Sequence, residues 1–303
     1  MQGGNNLGME IRLLRYFLEA ARELNITRAA KRLHITQPSL SRQLADLEDE
    51  LGRKLYIRER CGIRLTEEGM LLKKRAEEII DLEEKTLTEL KGTEISGTVY
   101  IGAGETAGVR HIGRVLVELR RKYPSIRYRM ISGDSEDVGD KLDKGLTDFG
   151  LFVGKVNLKK YECINLPDAD RWGVIMRCDD ELAERESVSP DDIRARELLF
   201  SHQAMEQGEF SEWLGGSACK LNIAGTHNLA YNASVMVREG LGILITIEGI
   251  IRTGGDSGLV FVPLLPEIKA ELVLAWKKNA VLSKAATKFL ECFRASVSPN
   301  HQG

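Results

Sequence analysis

The stretch Arg28–Thr66, RAAKRLHITQPSLSRQLADLEDELGRKLYIRERCGIRLT, decides the fold of the amino-terminal part of this chain. Near its centre, Thr36 precedes Gln37 and Pro38. Threonine is a preferred helix N-cap and proline is favoured in the first helical turn, so this pattern predicts a helix that begins at Gln37. Gly52 stands where a helix C-cap is preferred. Leucines at helical spacing place one side of this helix in a core: Leu40, Leu44, Leu47 and Leu51.

Two further helices are predicted before this one. Apolar residues from Ile11 to Leu24 recur at helical spacing. Thr27 is the expected N-cap of a short second helix, and His34-Ile35 would form the turn that follows it. The free N–H groups of a helix's first turn attract phosphate, and short side chains there let the backbone approach base edges. This arrangement is therefore typical of a helix-turn-helix that inserts its last helix into a DNA groove.

A basic hairpin is predicted after the third helix. Leu55–Arg58 and Ile63–Leu65 have the composition of short strands, and Glu59–Gly62 connects them. The hairpin would form a wing whose arginines contact phosphates. These arginines are Arg58, Arg60 and Arg64.

The formal net charge of −2 conceals an uneven distribution. Residues 1–66 contain twelve Lys or Arg against eight Asp or Glu, whereas residues 67–92 contain five against eight. The excess of positive charge coincides with the helix-turn-helix, as expected of a protein that binds double-stranded DNA. A composition of 43% hydrophobic and 29% charged residues excludes the disordered class.

No membrane or export segment is predicted. The longest apolar run, around Gly242–Ile247, is much shorter than the roughly 18 residues that a spanning helix needs, and the amino terminus has no apolar signal core. We therefore expect a cytoplasmic protein without a membrane partner. The polar, glycine-rich residues 1–8 are expected to be a disordered extension, so that residues 9–66 form the DNA-binding domain.

A long charged helix is predicted to follow the wing. Thr66 and the two glutamates after it form a helix-start pattern, and the helix would extend to about Lys91. Its apolar positions form a narrow stripe that suits pairing with another helix, so residues 67–92 are interpreted as a linker and dimerisation helix. The alternative is a helix that lies on its own domain. The stripe consists of Leu72, Ala76, Ile79, Thr86, Leu87 and Leu90.

Residues 93–297 show short apolar strands that alternate with amphipathic helices, after a hinge at Gly92–Gly97. This alternation predicts α/β units on mainly parallel sheets, and its length allows two lobes between which the chain crosses twice. The expected bounds are about 97–165 and 267–297 for lobe I, about 166–266 for lobe II, and Asn165–Asp170 and Val262–Pro266 for the crossings.

From Met9 to Leu90 the chain closely resembles the LysR-type transcriptional regulators. The matching residues occur in the right order over about eighty positions, which is far more specific than a single short motif. They are Phe17 and Ala20; Thr27, Ala29, Ala30 and Leu33; Thr36, Gln37, Pro38, Ser39, Leu40, Ser41 and Leu44; Leu47, Glu48, Leu51 and Gly52; Leu55, Tyr56 and Arg58; and Leu65, Thr66 and Gly69. After Gly97 the α/β pattern is compatible with the family's effector domain.

The resemblance implies an α-rich winged helix-turn-helix, a long linker helix and an α/β effector domain of two lobes that resemble periplasmic binding proteins. Long donors such as Gln37 and Arg42 suit base edges, whereas hydroxyl groups and wing arginines suit phosphates. At the wing tip this chain has Cys61-Gly62 where the family often has Arg or Lys, and Arg60 is the candidate substitute. The implied DNA-binding residues are Thr27, Gln37, Pro38, Ser39, Ser41, Arg42, Arg58, Arg60 and Arg64.

The implied partners follow from the same resemblance. A symmetric homodimer would place two recognition helices in major grooves about one turn apart on a palindromic operator. Family members are commonly tetramers, and RNA polymerase is a further candidate partner. A small-molecule effector of unknown identity would bind between the lobes and change the spacing or bend of the DNA. No cofactor and no metal are expected.

The loops beyond the carboxyl ends of the strands are the candidate effector site, because α/β sheets bind ligands there. Glu105 and Asp134 make this cleft less suited to a bare anion and favour a polar neutral or cationic effector. The alternative for Glu105 is that it caps the helix that follows it. The candidate effector residues are Glu105, Thr106, Ser132, Gly133, Asp134, Phe152, Ser201, His202, Thr226 and Asn228.

Other functional classes have less support. Gly102–Gly108 follows a strand, as a dinucleotide-binding loop does, but its third glycine is one position late and no acidic residue ends the next strand. His202 and His227 lack an acidic or cysteine partner at metal-ligand spacing, and no catalytic motif is present, so an enzyme is not expected. The five cysteines are interpreted as buried reduced thiols. Two alternatives stay open: a thiol redox-responsive regulator and an architectural DNA-binding protein without a ligand.

Overall fold

The computed structural model describes residues 9–90, 95–215 and 221–297. The chain divides into two compact units, residues 1–90 and residues 91–303. The predicted extension at residues 1–8 and the first part of the predicted hinge at Gly92–Gly97 lie outside the described residues.

The first unit contains the helix-turn-helix, the wing and the long helix in the predicted order. Their bounds are α1 Ile11–Glu23, α2 Ile26–Arg32, α3 Gln37–Leu51, β1 Tyr56–Glu59, β2 Gly62–Leu65 and α4 Glu67–Leu90. The core forms where the small residues of α2 let α1 and α3 approach closely, since Ala29 and Ala30 are buried against Phe17, Leu40 and Leu44.

The caps of α2 and α3 differ in how well the sequence predicts them. Thr36 caps α3 as expected, because its Oγ1 accepts a hydrogen bond from Ser39 N at 3.4 Å. The predicted cap of α2 is wrong: Asn25 Oδ1 accepts from Arg28 N at 3.0 Å, and Thr27 lies inside the first turn. Asparagine is as good an N-cap as threonine, so N-cap preference alone does not decide which of these two residues begins the helix.

The last turn of α3 also departs from the leucine pattern. Leu51 was expected in the core but is 38% exposed, whereas Glu48 is only 5% exposed. The Glu48 carboxylate accepts hydrogen bonds from Leu55 N at 2.8 Å and from Lys54 Nζ at 2.7 Å. A buried carboxylate persists only when it is paired in this way. Glu48 therefore anchors the start of the wing to the end of α3.

Helix α4 begins at the predicted cap. Thr66 Oγ1 accepts from Gly69 N at 3.0 Å and donates to Lys54 O at 2.7 Å. Part of the predicted dimerisation stripe is used within this unit, because Ala76 and Leu72 pack with Leu14 of α1. At these two positions the helix packs on its own domain, which was the alternative interpretation of the stripe.

The second unit contains two lobes, each built on a five-strand path of mixed direction. Lobe I has the strand order β4-β3-β5-β13-β6, in which β4, β3 and β5 are parallel and β13 is antiparallel to both neighbours. Its bounds are β3 Gly97–Ala103, α5 Val109–Lys122, β4 Ile126–Ser132, α6 Ser135–Asp143, β5 Phe149–Val153, β6 Tyr161–Asn165, β13 Leu272–Lys277 and α10 Lys284–Val297.

Lobe II has the order β11-β7-β10-β8-β9, with β12 also paired to β7. Strands β10, β8 and β9 are parallel, and β7 is antiparallel to β10 and β11. Its bounds are β7 Asp170–Arg177, α7 Pro190–Ile193, β8 Glu197–Ser201, α8 His202–Glu206, β9 Asn222–His227, α9 Ala230–Arg238, β10 Ile243–Ile247, β11 Leu259–Pro263 and β12 Lys269–Ala270.

The chain crosses between the lobes twice, as predicted, but the second crossing is later than expected. The first lies between Asn165 of β6 and Asp170 of β7. The second lies at Glu271 rather than at Val262–Pro266, because β12 still pairs with β7 of lobe II before β13 joins lobe I. The two crossings bring the carboxyl ends of the parallel strands of both lobes to one cleft.

Candidate nucleic-acid interface and ligand cavity

The amino end of α3 presents polar groups on the surface of the first unit. Pro38, Ser39 and Arg42 are exposed, and Gln37 Nε2 donates to Ser41 Oγ at 2.6 Å. The Arg42 guanidinium has no ion pair or hydrogen bond with any residue in the described range 9–90. A free cation one turn into a capped helix suits contact with an anionic groove.

The wing holds its arginines on an antiparallel ladder. Arg58 pairs with Ile63 across the hairpin, and Arg64 with Ile57. Arg58, Arg60 and Arg64 are all exposed, and Arg64 Nε contacts Glu59 Oε1 at 2.9 Å. Since both members of this ion pair are more than half exposed, it contributes little and leaves Arg64 available to phosphate.

The wing tip is fixed to the helical core through its backbone. Ile63 N donates to Leu24 O at 2.9 Å, and a Cβ at Gly62 would lie 2.2 Å from that same oxygen. Gly62 also has a φ of +154°, which few L-residues adopt. Gly62 is therefore required at the tip by packing as well as by its backbone conformation.

A cavity of about 70 Å³ lies between the two lobes of the second unit. The ionisable groups in its wall are three carboxylates and one imidazole, and neither Lys nor Arg lines it. The lining residues are Gly104, Glu105, Gly133, Asp134, Val153, Trp172, Ser201, Gln203, Ala204, Glu209, His227, Asn228, Ala230, Thr246, Ile247 and Ile250.

Two side chains in this wall bridge the lobes by hydrogen bonds. Glu105 Oε2, after β3 of lobe I, accepts from Ala230 N at 2.6 Å, at the first residue of α9 in lobe II. Gln203 of lobe II accepts from Ser135 N at 2.8 Å and donates to Val153 O at 3.3 Å, both in lobe I. Glu105 thus caps a helix of the opposite lobe, not the helix that follows it in sequence.

Two ionisable groups of the wall are shifted towards their neutral forms. Burial raises the pKa of Glu209, against the hydrogen bond that Trp172 Nε1 donates to its Oε1 at 3.1 Å. Burial lowers the pKa of His227, and neither of its ring nitrogens has a partner among the described residues. Unpartnered buried nitrogens are costly, and they are expected where a ligand supplies the missing contact.

Comparisons with known proteins match both parts of the chain. A family model described as a bacterial regulatory helix-turn-helix protein of the lysR family matches residues 11–70, and the LysR substrate binding domain matches residues 92–298. The second match covers more than half of the chain. The chain belongs to the LysR family. It is accordingly a DNA-binding transcriptional regulator with a substrate-binding domain, and not an enzyme.

Relatives of this LysR-family chain are similar over nearly their full length. An uncharacterized HTH-type transcriptional regulator of Methanocaldococcus jannaschii is 29% identical, covering 85% of this chain and 88% of the relative. The Hca operon transcriptional activator HcaR of Escherichia coli is 28% identical, covering 89% and 93%. The crystal structure of CbnR, a LysR family transcriptional regulator, has a TM-score of 0.74 at 19% identity, covering 96% of this chain and 100% of CbnR. Full-length CbnR complexed with its target DNA gives 0.72 at 20% identity, covering 95% and 100%.

None of the nine predicted DNA-binding residues is buried, and they lie on α2, α3 and the wing. Five of the ten predicted effector residues line the cavity and five do not. Those that line the cavity are Glu105, Gly133, Asp134, Ser201 and Asn228. Those that do not are Thr106, Ser132, Phe152, His202 and Thr226.

The misplaced residues have local physical causes. Phe152 and Thr226 each stand one position before a lining residue on a strand, and alternation turns them to the opposite face. Phe152 stacks on Tyr161 inside lobe I. Thr106 Oγ1 donates to the buried carboxylate of Asp170. Ser132 is exposed, and so is His202, whose imidazole faces Glu206 on the outside of α8.

Several lining residues were not predicted as effector residues. Trp172 and Glu209 come from lobe II segments with no motif of their own, so no sequence signal marks them. Thr246 is different: it is a fully buried polar residue in the otherwise apolar strand Ile243–Ile247, and that exception could have been noticed. Gly104, Val153, Gln203 and His227 lie in the strand-end loops predicted to form the cleft but were not singled out. The other unpredicted lining residues are Ala204, Ala230, Ile247 and Ile250.

The cysteines are not the buried thiols that were expected. Cys61, Cys163 and Cys178 are exposed, Cys292 is partly buried, and all four are free. Cys219 lies outside the described residues. Among the described residues no group of His, Cys, Asp and Glu could hold a metal ion, and no helix is long and apolar enough to cross a membrane.

Proposed function

We propose that this LysR-family regulator reads a palindromic operator with the amino end of α3, and that a small molecule in the interlobe cavity modulates its output. The cavity carries this proposal, because it is bordered by hydrogen bonds that join lobe I to lobe II. A ligand that breaks or forms those bonds would move one lobe relative to the other. Regulation by a ligand requires such an element with two states. The effector is a diffusible ligand rather than a resident cofactor.

The regulator is proposed to act as a homodimer or homotetramer in the cytoplasm, where the chromosome and RNA polymerase are accessible to it. Helix α4 supports self-association, because its apolar residues Leu71, Ile79 and Leu82 remain exposed at 60%, 36% and 43%. They lie apart from Ala76 and Ile80, which pack on α1. An exposed apolar strip on a long charged helix is the usual form of a helix-pairing surface.

Two measurements test this function. Footprinting of operator fragments is expected to show two protected half-sites about one helical turn apart. Light scattering of the full chain is expected to give a dimer or larger, and Leu71→Glu with Leu82→Glu is expected to reduce its mass. Lys74→Glu is the matched control, since it introduces the same charge at an exposed position of the same helix. A monomer that protects both half-sites would contradict the oligomeric part.

A thiol redox-responsive regulator is the second candidate, and the exposure of Cys61, Cys163 and Cys178 favours it. Oxidation follows exposure and thiolate character. The test compares the operator affinity of the wild type with that of a variant that has serine at all three positions, each with and without peroxide. If peroxide leaves the affinity of the wild type unchanged, the candidate is removed. A wild-type loss of affinity that the triple variant lacks would support it.

A further inference from the structure

We propose that the effector of this regulator is a small organic cation, namely a protonated amine, bound by the carboxylates of the interlobe cavity. The proposal rests on the proposed function, since it assigns a ligand class to the same cavity. It does not depend on which operator the protein reads or on its oligomeric state.

The charge of the cavity wall is the first observation. Glu105, Asp134 and Glu209 line it, and no Lys or Arg does. Lys155 interacts with Glu209 only at a distance and does not line the cavity. A ligand carboxylate in this space would face like charges without a counter-ion, which is strongly unfavourable in a partly buried site.

The helix amino ends around the cavity are the second observation. Such ends are ready anion sites, but the protein's own oxygens already occupy them. Glu105 Oε2 accepts from Ala230 N at α9, and Asp134 Oδ1 accepts from Glu136 N and Asp137 N at α6, at 3.1 and 3.0 Å. Gln203 Oε1 accepts from Ser135 N, so the three N–H groups of the first turn of α6 all have acceptors within the chain. An anionic ligand would have to displace these bonds at α6, and at α9 it would meet the carboxylate of Glu105.

The acceptors that remain are the third observation. Each carboxylate of Glu105 and Glu209 uses one oxygen for the hydrogen bond described above and has a second one. His227 is held neutral by burial, and a neutral imidazole has one acceptor nitrogen that here has no partner in the described chain. An ammonium group has three donors and no acceptor, and it satisfies this set.

The space between the lobes suits a small ligand group. A cavity of about 70 Å³ is smaller than the roughly 150 Å³ known to admit benzene. It therefore suits a molecule of a few non-hydrogen atoms. Trp172 and Ile250 supply an apolar wall for a short alkyl group beside the ammonium.

The test uses the full-length protein and size-matched probes of opposite charge. Ethylammonium and ethanolammonium are compared with propionate and glycolate by calorimetric titration and by thermal shift. We expect the ammonium probes to bind and to raise the melting temperature, and the carboxylates to do neither. Glu209→Gln is expected to weaken ammonium binding tenfold or more, because it removes a partly buried charge partner.

Glu162→Gln is the matched control, since it removes a carboxylate from an exposed position on β6 of the same unit. It is expected to leave ammonium binding unchanged. Binding of the carboxylates but not of the ammonium probes would overturn the cation proposal and leave a ligand-regulated function standing. Equal weakening by both variants would also overturn it. If neither the ammonium probes nor the carboxylates bind, the cation proposal fails, while operator footprinting still reports the DNA-binding part of the proposed function.

Discussion

The amino ends of α3 and α9 differ in the group that accepts hydrogen bonds from their free N–H groups. At α3 the neutral hydroxyl of Thr36 caps the helix, the first turn faces solvent, and Arg42 stands free beside it. At α9 the carboxylate of Glu105 accepts from Ala230 N, so the chain supplies its own anion. A helix end that is left without a charged cap attracts phosphate, whereas one neutralised internally does not. The same local feature is therefore expected to contact DNA in one unit and to disfavour anions in the other.

Gly69 of α4 lies in close contact with the backbone at the start of the wing. A Cβ at position 69 would lie 1.9 Å from Leu55 O, a backbone atom that cannot move independently. We expect Gly69→Ala to cost about 3 kcal/mol or more of unfolding free energy in the first unit. Chemical denaturation followed by circular dichroism, together with operator binding, measures this.

Gly113→Ala is the control for that substitution. Gly113 lies within α5 and a Cβ there would meet no atom within 4 Å. Alanine at this position is expected to stabilise the protein by about 0.5–1 kcal/mol and to leave operator binding intact. A stable, operator-binding Gly69→Ala protein would contradict the packing described for the wing.

The two caps allow a direct comparison of a neutral and a charged helix end. Thr36→Ala is expected to cost about 1 kcal/mol, as for other N-caps. Glu105→Gln keeps an acceptor but removes the charge, and we expect a loss of about 0.3–1 kcal/mol that decreases at high salt. Glu239→Gln at the carboxyl end of α9 is the control, with no loss expected because a negative charge is unfavourable there. A salt-independent loss for Glu105→Gln would show that its charge is irrelevant.

The wing arginines are expected to act on all DNA sequences alike. Arg58→Ala should lower specific and non-specific affinity by the same factor and reduce the slope of log affinity against log salt by about one. Fluorescence anisotropy over a series of salt concentrations measures both quantities. A change in operator preference with an unchanged salt slope would instead indicate that Arg58 reads a base.

The pH dependence of His227 is expected to be the smallest effect. Because burial lowers its folded pKa below the unfolded value of 6.5, the unfolded chain takes up the proton first. Its contribution to stability is therefore present above about pH 6.5 and is lost as the pH falls towards the folded pKa. The melting temperature of the wild type minus that of His227→Gln should fall between pH 7.5 and pH 5.5, and a difference independent of pH would contradict this.

The two sites also differ in how far the sequence predicts them. The predicted DNA-binding residues lie on one local stretch whose caps, leucine spacing and hairpin are set by neighbours in sequence, so α3 and the wing follow from Thr36, Gly52 and the Arg58–Arg64 pattern. The cavity is assembled from loops far apart in the chain. The ends of the strands predicted which loops meet. Because side chains alternate along a strand, Val153 and His227 line the cavity in place of the predicted Phe152 and Thr226. Glu209 and Trp172 meet only through packing of lobe II, which periodicity does not encode.

Arg42 provides the most direct test of the amino end of α3 as the element that reads DNA. Its guanidinium is exposed and has no partner within residues 9–90. Affinities of wild type and Arg42→Ala for the operator and for an unrelated fragment of equal length give the ratio of specific to non-specific binding. We predict that this ratio falls by the equivalent of about 1–3 kcal/mol in Arg42→Ala while folding is unchanged. An Arg42→Ala protein with the wild-type ratio would contradict the assignment.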